Sequence, residues 1–330
     1  MISYYFNELD CIKRYLIEIE AIKIVTDKLK IKVKREELIQ RKSILKSSIF
    51  SARIEGNPLG LKNYQAEDNE KIHRQEIENL LKAYTTVYFR PVPLELSVEW
   101  IKRLHGMVMS EIDQTRAGKY RQEAWGIFNE WGFPIYKASA YFEVPKLMEE
   151  YVNYINNLGH HPAIISAIGQ FIFEKIHPFA DGNGRVGRLI SAWILRRGGY
   201  HFRGILPFEE YLDKHRSNYY RSLEPSKDMT AFVEYFVKSI AETGRRALDG
   251  LTKKGNNGLT KEIMLPRREE IFGVINDHPG CSFDFIRRRF LAVNPKTLHY
   301  DLGQLQKKKL IVKMGSTRGA VYKINQKSKS

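Results

Sequence analysis

The stretch that decides the fold is residues 177–188, which read HPFADGNGRVGR. Apolar residues recur at helical spacing on both sides of it, namely Ile164, Ile165, Ile168, Phe171, Ile172 and Ile176 before it and Val186, Leu189, Ile190, Trp193 and Ile194 after it. The stretch is therefore predicted to be a short loop between two buried helices. Pro178 ends the first helix, because the residue before a proline avoids the helical region. The second helix starts at Gly182-Asn183-Gly184, where glycine permits a tight turn.

Several groups in this loop are of kinds that commonly bind anions. A helix N-terminus presents unpaired N–H groups and the positive end of the helix dipole, and glycines let an anion approach the backbone closely. Arg185 and Arg188 are three residues apart, so both project from one face near the start of the helix. Each guanidinium can grip two phosphate oxygens at once. Together these features predict a phosphate site.

The remaining polar residues of the loop add chemistry to that site. Asp181 is an anion among anion-binding groups, which suits a Mg²⁺ ion that bridges phosphates. His177 takes up a proton near neutral pH and is the candidate general base. Phe179 is predicted to point into the core. Each residue alone has an ordinary structural explanation, but their combination within twelve residues favours a catalytic nucleotide site.

At every specified position, the stretch resembles the signature of Fic-domain proteins, His-x-Phe-x-Asp/Glu-Gly-Asn-Gly-Arg-x-x-Arg. The resemblance implies transfer of AMP from ATP to a hydroxyl side chain (Ser, Thr or Tyr) of a target protein or of the enzyme itself. It assigns His177 to deprotonating that hydroxyl and Asp181 to holding Mg²⁺. It assigns Gly182, Asn183 and Gly184 to the α- and β-phosphates, Arg185 to the β-phosphate and Arg188 to the γ-phosphate. UTP and GTP remain open as alternatives to ATP.

An upstream segment has the pattern of an inhibitory motif. Residues 44–57 are predicted to form a helix that ends at Gly56-Asn57-Pro58, with Ser51 and Glu55 four apart on one face. Residues 51–56, SARIEG, resemble the motif Ser/Thr-x-x-x-Glu-Gly/Asn of self-restrained Fic proteins. The resemblance implies that Glu55 forms a salt bridge with Arg188 in place of the γ-phosphate. The same resemblance leaves another function open, in which Glu55 orients a water molecule that removes AMP from a modified protein.

Two further segments are assigned by resemblance. Residues 125–136 suit a small β-hairpin, and a hairpin flap in Fic proteins aligns the target chain. Residues 211–223 resemble the segment that encloses adenine, so the candidate adenine contacts are Tyr211, Asn218 and Tyr219. His105, in a predicted helix over 96–112, is expected to be buried or structural.

The last part of the chain resembles a winged helix-turn-helix domain. Its predicted elements are helices at about 267–276, 282–290 and 295–308, followed by strands at 311–313 and 320–324. The candidate contacts to the major groove of DNA are Thr297, His299, Tyr300 and Gln304. Arg318 is the candidate contact to a phosphate or to the minor groove. Such domains also dock proteins, so DNA and protein both remain open as partners. A DNA-binding regulator that senses nucleotide is thus the rival function.

Composition adds limits. The chain has 330 residues and a net charge of +16. Residues 261–330 hold 15 Lys and Arg against 6 Asp and Glu, which favours a polyanionic partner there. Two cysteines, Cys11 and Cys281, give no disulfide framework. Charged residues near the N-terminus and the lack of a long apolar run predict a cytoplasmic protein without membrane contact.

The predicted fold class is mainly α. A Fic helical bundle with its hairpin flap is followed by the winged-helix domain. The predicted boundaries are 1–88 for an N-terminal helical region with the inhibitory motif, 89–250 for the Fic domain, 251–262 for a linker and 263–330 for the winged-helix domain. Relatives of this class often dimerise, so a homodimer is a further expectation.

Overall fold

The computed structural model describes residues 3–61, 63–64, 71–128, 134–224, 226–252, 266–290, 293–315 and 320–325. The chain separates into two compact units, one of Met1–Pro58 and Gln75–Leu248, the other of Leu59–Arg74 and Asp249–Ser330. Within the described residues, no helix has the length and apolar character that crossing a lipid bilayer requires.

Helices dominate residues 1–252. In chain order they are α1 (Asp10–Lys28), α2 (Val33–Ile54), α3 (Lys71–Phe89), α4 (Val98–Val108), α5 (Val144–Asn156), α6 (Pro162–Ile176), α7 (Asn183–Arg197), α8 (Glu209–Lys214), α9 (Arg216–Ser222) and α10 (Thr230–Thr252). Short 3₁₀ turns cover Tyr141–Glu143 and Phe202–Gly204. Strands β1 (Gly126–Phe128) and β2 (Pro134–Lys137) pair antiparallel, as the predicted hairpin requires.

The pair α6 and α7 lies at the centre of the first unit, and both predicted helices are confirmed. Pro162 occupies the first turn of α6, and His161 caps it by accepting a hydrogen bond from the Ala163 N–H. Nearly all of α6 and α7 is buried. Phe171, Phe173 and Phe179 have no exposed surface, and each buried aromatic side chain stabilises the fold by about 1.5–3 kcal/mol. The placement of Phe179 in the core is thereby confirmed.

Several boundaries differ from the predictions. The helix predicted at 44–57 begins earlier, at Val33, because its first turns carry polar residues that hide the apolar period. Helix α3 was not predicted at all. The segment 211–223 is two short helices that meet at His215. Part of the expected linker is helical, since α10 continues to Thr252, and the remainder lies outside the described residues.

The second unit contains α11 (Pro266–Asp277), β3 (Cys281–Ser282), α12 (Phe283–Arg289), α13 (Pro295–Lys307), β4 (Ile311–Met314) and β5 (Val321–Ile324). The strands form one antiparallel sheet in the order β3-β5-β4. The three helices and two strands predicted here are confirmed, whereas β3 was missed because it is two residues long. The core is formed by residues that include Ile271, Ile275, Ile286, Leu298, Leu302 and Leu305. Arg318 lies outside the described residues.

Candidate functional site

The first helix of the central pair ends because His177 adopts a left-handed backbone. Helix α6 stops at Ile176, and His177 has φ 49° and ψ 61°. This region costs a non-glycine residue about 1–2 kcal/mol. Pro178 follows directly, so the helix cannot resume there. The turn leaves the His177 imidazole at the wall of a cavity.

Arg121, a buried side chain, holds this turn in place. Its Nε donates to the carbonyl of His177 at 2.8 Å. Its Nη1 and Nη2 donate to the carbonyls of Glu123 and Ser139 at 2.9 and 2.6 Å. One guanidinium therefore fixes the loop to the segments on both sides of the β1–β2 hairpin. Sequence reasoning gave Arg121 no role, because its hydrogen-bond partner in the loop, His177, is 56 residues away.

The His177 ring is held by stacking and is in its neutral form. It stacks on Trp125, with 3.5 Å between ring centroids and 22° between planes. Burial lowers the pKa of His177 to about 4, against the backbone of Glu174, which raises it. The imidazole is thus uncharged at neutral pH and keeps a lone pair.

A second histidine supports the loop from behind. His105 stacks on Phe179 at 3.7 Å between centroids. Its Nδ1 accepts from the Gly118 N–H at 2.8 Å. Nε2 therefore carries the proton and donates to the Asp181 carbonyl at 3.1 Å. Burial lowers the pKa of His105 to about 4. The expectation that His105 is buried is confirmed, since only 1% of it is exposed.

The Asn183 side chain closes the loop on itself. Its Oδ1 accepts from the Phe179 N–H at 2.9 Å, and its Nδ2 donates to the Phe179 carbonyl at 2.8 Å. Gly182 caps α7 with φ 79°, a left-handed value that favours glycine. The Asn183 amide is thus used within the loop, and what the loop offers an anion is the backbone N–H groups of the first turn of α7.

Arg185 lies between two carboxylates. Its Nη1 and Nη2 donate to Glu76 Oε1 and to Asp181 Oδ1, each at 2.9 Å. Sequence reasoning missed Glu76, which is 109 residues from Arg185. Burial raises the pKa of Asp181, but the charge of Arg185 and its hydrogen bond outweigh burial, so the net shift is downward and the carboxylate stays ionised. The Asp181 side chain is 61% exposed, and both Arg185 and the Gly182 N–H contact its Oδ1. A Mg²⁺ ion held jointly with phosphates fits this carboxylate.

Arg188 is fully buried and donates hydrogen bonds to two residues at the end of α2. Its Nε donates to Ser51 Oγ at 2.9 Å, and its Nη2 donates to the Ser51 carbonyl and to Glu55 Oε1 at 2.8 and 2.9 Å. Burial alone would lower the pKa of Arg188, but Glu55 and nearby buried side chains keep the net shift upward. The salt bridge that the motif implied is therefore present. Gly56 follows it with φ 100°.

Gly184 is required by the close approach of Glu55. A Cβ on Gly184 would lie 2.1 Å from Glu55 Oε1 and 3.2 Å from Arg188 Nη1. The Glu55 carboxylate therefore lies against the N-terminus of α7, where the helix dipole favours an anion.

Among the described residues, Arg188 Nη1 and Arg185 Nε are buried donors with no hydrogen-bond partner. Unpaired buried donors are costly, so this cradle suits a ligand with more acceptor oxygens than one carboxylate has.

Polar contacts to α8 fix helix α2, which carries Ser51 and Glu55. Lys46 Nζ donates to Glu210 at 2.9 Å, Ser47 Oγ to Glu209 at 2.7 Å, and Arg53 Nε to Asp213 at 3.0 Å. We call these three pairs the α2–α8 clasp. A further contact comes from α9, where the Tyr220 hydroxyl donates to the Ile54 carbonyl at 2.8 Å.

The loop, Glu55 and α9 enclose a cavity of about 480 Å³. Its lining residues are Glu55, Trp125, Tyr136, Glu174, Lys175, His177, Ala180, Asp181, Gly182, Asn183, Gly184, Tyr219, Tyr220, Leu223 and Glu224. Of the candidate adenine residues, Tyr219 lines this cavity. Tyr211 instead stacks on His215, and Asn218 is exposed on α9. Neither of them is in the lining. The aromatic residues of the wall that sequence reasoning missed are Trp125, Tyr136 and Tyr220.

Comparison with known proteins gives one family for this region. Residues 95–195 match the model of the Fic/DOC family. Protein adenylyltransferase Fic of Drosophila willistoni is 28% identical over 159 residues, which cover 47% of this chain and 29% of the relative. Protein adenylyltransferase fic-1 of Caenorhabditis briggsae is 30% identical over 173 residues, or 51% and 32% of the two chains. The chain thus spans about a third of the length of these curated relatives.

Solved structures share the fold. A Fic family protein from Desulfovibrio desulfuricans G20 superposes with a TM-score of 0.66 at 22% identity, covering 99% of this chain and 98% of the other. Fic-1 from C. elegans gives 0.60 at 20% identity, with 74% of each chain covered. The first of these likenesses extends over both units.

Proposed function

Because this chain contains a domain of the Fic/DOC family, we propose that it transfers AMP from ATP to a hydroxyl side chain of a target protein. The observation that carries the proposal is that three sequence-predicted groups line one cavity, and two sequence-predicted arginines pair with carboxylates of that lining. His177, Asp181 and residues 182–184 line it, and the buried guanidinium groups of Arg185 and Arg188 pair with Asp181 and Glu55 of the same lining. The named activity of the relatives supports the same reading.

The reaction is a substitution at the α-phosphorus. His177 takes the proton from the acceptor hydroxyl, and the hydroxyl oxygen bonds to the α-phosphorus. The bond from that phosphorus to its bridging oxygen breaks, and the electron pair leaves with pyrophosphate. A bound nucleotide raises the pKa of His177 above its free value, because nearby negative charge favours the imidazolium. Proton transfer to the ring is therefore easier in the complex.

The rest of the site binds and orients the nucleotide. The first turn of α7 supplies N–H groups and its dipole to the phosphates, while Arg185 and Arg188 supply forked donors. Asp181 is the residue that would hold Mg²⁺, which neutralises phosphate charge when bound. The hydrogen bond from Arg121 to the His177 carbonyl keeps His177 in its left-handed turn, so the base is already in position before the substrate binds.

The direct test compares ATP labelled at the α-phosphate with ATP labelled at the γ-phosphate. The proposal expects protein to be labelled by the first and not by the second, since the γ-phosphate leaves within pyrophosphate. Label from the γ-phosphate alone would indicate a kinase instead. Parallel reactions with UTP and GTP determine the base preference.

We further propose that Glu55 restrains this activity in cis. It pairs with Arg188 at 2.9 Å and lies against Gly184, so it occupies part of the anion cradle. A carboxylate and a γ-phosphate compete for the same guanidinium fork. The α2–α8 clasp then sets how firmly Glu55 is held, since it anchors the helix that carries it.

The clasp gives a testable prediction. Asp213→Asn should raise AMP transfer by about 1.4–5-fold, because it removes a partly exposed ion pair that contributes roughly 0.2–1 kcal/mol to docking of α2. The same substitution should have no effect in a Glu55→Gly background, where there is no inhibitory carboxylate left to release. The measurement is the rate of label transfer in the four proteins of this double-mutant cycle.

The matched control is Asp27→Asn. It removes an ion pair to Lys23 of 2.7 Å within α1, away from the clasp. This variant should transfer AMP at the parental rate. Equal activation by Asp213→Asn with and without Glu55 would contradict the role of the clasp in inhibition.

We propose a second activity for the second unit, which resembles a winged helix: binding to a nucleic acid duplex. One observation favours it. The single carboxylate of α13, Asp301, is buried and bound by Arg267 and Arg268 at 2.6 Å each. The exposed face of α13 therefore carries no acid, and it presents Lys296, His299 and Tyr300.

The neighbouring helix adds positive charge, since Arg287, Arg288 and Arg289 of α12 are all exposed. Replacing these three with Gln should weaken binding to a short DNA duplex. It should also flatten the slope of log Kd against log salt by roughly 0.9 for each phosphate that the variant no longer neutralises. Fluorescence anisotropy over a salt series measures both effects.

The control is a triple Gln variant of Lys13, Arg14 and Lys28, which are exposed on α1 and remove the same charge from the first unit. It should leave the salt slope unchanged. Absence of duplex binding by the parent protein at low salt would reject the proposal and favour protein docking by this unit.

A further inference from the structure

Glu174 is a carboxylate of the cavity wall that has no role in the proposed proton transfer or phosphate binding. It lies on α6, three residues before His177, and its side chain is 15% exposed. Its Oε2 is 3.9 Å from His177 Nδ1, which is beyond hydrogen-bond distance. An ionisable group in such a position is costly unless it has a partner, so its surroundings and its contacts with a ligand matter.

A built support aims this side chain at the cavity. Gln170 Nε2 donates to Glu174 Oε1 at 3.0 Å and to the Tyr219 hydroxyl at 3.1 Å. The amide fits there because residue 187 is glycine, where a Cβ would lie 2.8 Å from Gln170 Nε2. Ser191 Oγ donates to the other end of the amide at 3.4 Å. Gln170 thus holds Oε1, while Oε2 is the carboxyl oxygen on the side of His177.

The charges around Glu174 come from several elements. Glu55 of α2 and Arg188 of α7 act on it, as do Lys175 of its own helix and Tyr219 and Tyr220 of α9. Arg188 donates its hydrogen bonds to Ser51 and Glu55, and Lys175 Nζ donates to the Leu223 carbonyl. Glu174 is therefore influenced by both cations through space, while their hydrogen bonds go to other groups.

The net effect of these groups is to raise the pKa of Glu174. Burial, and then the charge of Glu55, raise the pKa of Glu174 to about 7, against the lowering effects of Arg188, Lys175 and the Gln170 hydrogen bond. The carboxyl group is thus close to half protonated at neutral pH before any ligand binds.

We propose that Glu174 contacts the phosphate chain of the bound nucleotide as a protonated acid, donating a hydrogen bond from Oε2 to a phosphate oxygen. The inference rests on the proposed function and adds a nucleotide-binding residue to it. Glu174 Oε2 lies 3.9 Å from the His177 ring, and the charges of Arg188 and Glu55 act on the same carboxyl group. It therefore lies within the region where the phosphates are proposed to bind. Two anions cannot share that space, whereas a carboxylic acid and a phosphate oxygen form a strong hydrogen bond.

Proton uptake on binding is the consequence. The nucleotide brings negative charge and thus raises the pKa of Glu174 further, so the complex takes up a proton from solvent. Affinity is then highest at low pH and falls as pH rises above the pKa of the free protein, by up to about tenfold per pH unit. An ionised Glu174 that accepts from a ribose hydroxyl would give the opposite sign.

The experiment is titration calorimetry with the α,β-methylene analogue of ATP and Mg²⁺, since this analogue cannot release pyrophosphate. The Glu55→Gly protein is used, because it lacks the carboxylate that competes with the phosphates for Arg188. Buffers of different ionisation enthalpy report the number of protons taken up, over about pH 7.5–9, where the γ-phosphate is already ionised. We expect uptake that approaches one proton and a Kd that rises with pH.

Two variants in the same background assign the proton. Glu174→Gln keeps a donor but cannot titrate, so it should bind with little pH dependence and without uptake. His177→Ala should retain the uptake, which separates Glu174 from the other buried titratable group nearby. If Glu174→Gln does not fold, the pH profile of the His177→Ala protein alone decides.

Persistent uptake in Glu174→Gln, or a Kd that falls with rising pH, overturns this inference and leaves the proposed function intact. A folded Glu55→Gly protein that does not bind the analogue at any pH overturns both.

Discussion

Replacing His177 with alanine is expected to lower the rate of AMP transfer by a factor of about 10²–10⁴, the usual contribution of a positioned general base. The phosphates are assigned to the α7 N-terminus, Arg185 and Arg188, so the Kd for nucleotide should stay within about threefold of the parent value. The measurements are label transfer from the α-phosphate and calorimetric binding of the unreactive analogue.

The control for His177→Ala is His299→Ala, which removes an exposed imidazole in the second unit. It should transfer AMP at the parental rate. A His177→Ala protein that keeps more than about a tenth of the activity would contradict the assignment of this ring as the base.

The pH profile is a further consequence of the same assignment. Burial holds the pKa of His177 down at about 4 in the free protein, so the ring is neutral and competent at every pH well above that value. For the His177 ionisation we expect kcat/KM to fall on the acidic side, as the ring becomes protonated, with no loss from this group between about pH 6 and 8. A nucleotide complex shifts the fall in kcat toward higher pH, because bound phosphates raise the pKa of the ring.

Sequence reasoning predicted the local structure best where the residues of the loop are contiguous. The loop from His177 to Arg188 contains its own turn residues, its own cap and its own charged groups, so spacing along the chain was a sufficient guide. The second unit was also predictable in outline, because its helices are short, amphipathic and bounded by turns. The Glu55–Arg188 pair was found by resemblance and not by spacing, since 133 residues separate its members.

What sequence reasoning missed was long-range support. Arg121 donates to the carbonyl of His177, 56 positions away, and the Glu76 carboxylate accepts from the Arg185 guanidinium, 109 positions away. A charged residue in a weakly patterned segment gives no local sign that it will be buried against a distant loop. Gln170 is a different case, because it lies on a predicted buried helix and a buried polar residue there was a usable signal. Of the three candidate adenine contacts, Tyr219 lines the cavity and Tyr211 and Asn218 do not, because aromatic residues on a short helix can face either the core or a ligand.

The other large effect expected is activation by Glu55→Gly. Loss of the carboxylate leaves Arg188 fully buried with its hydrogen bonds to Ser51, and a buried guanidinium without a counter-charge at hand favours a phosphate strongly. We expect AMP transfer to rise by about 5–150-fold, the range of coupling that one competing contact usually supplies. The measurement is the initial rate of label transfer at a fixed nucleotide concentration.

The Glu55 variant should also respond more to ligand than the parent does. Its midpoint of thermal unfolding should increase more when the unreactive analogue and Mg²⁺ are added, because binding no longer requires displacement of a competing side chain. Glu55→Gln tests charge against shape: an amide can still fill the space beside Gly184 but cannot form the ion pair, so its activity should lie between those of the parent and Glu55→Gly.

The matched control for activation is Glu37→Gly, an exposed position on the same helix. It lowers the helix propensity of α2 by about 1 kcal/mol, as any glycine in a helix interior does, but it leaves the Arg188 contact in place. If Glu37→Gly activates as strongly as Glu55→Gly, then loosening of α2 and not removal of the carboxylate causes the effect. If Glu55→Gly binds nucleotide more tightly yet transfers AMP no faster than the parent, Glu55 is not an inhibitor of the chemical step. Activation confined to Glu55→Gly, with Glu55→Gln between the two, is the result that competition for Arg188 requires.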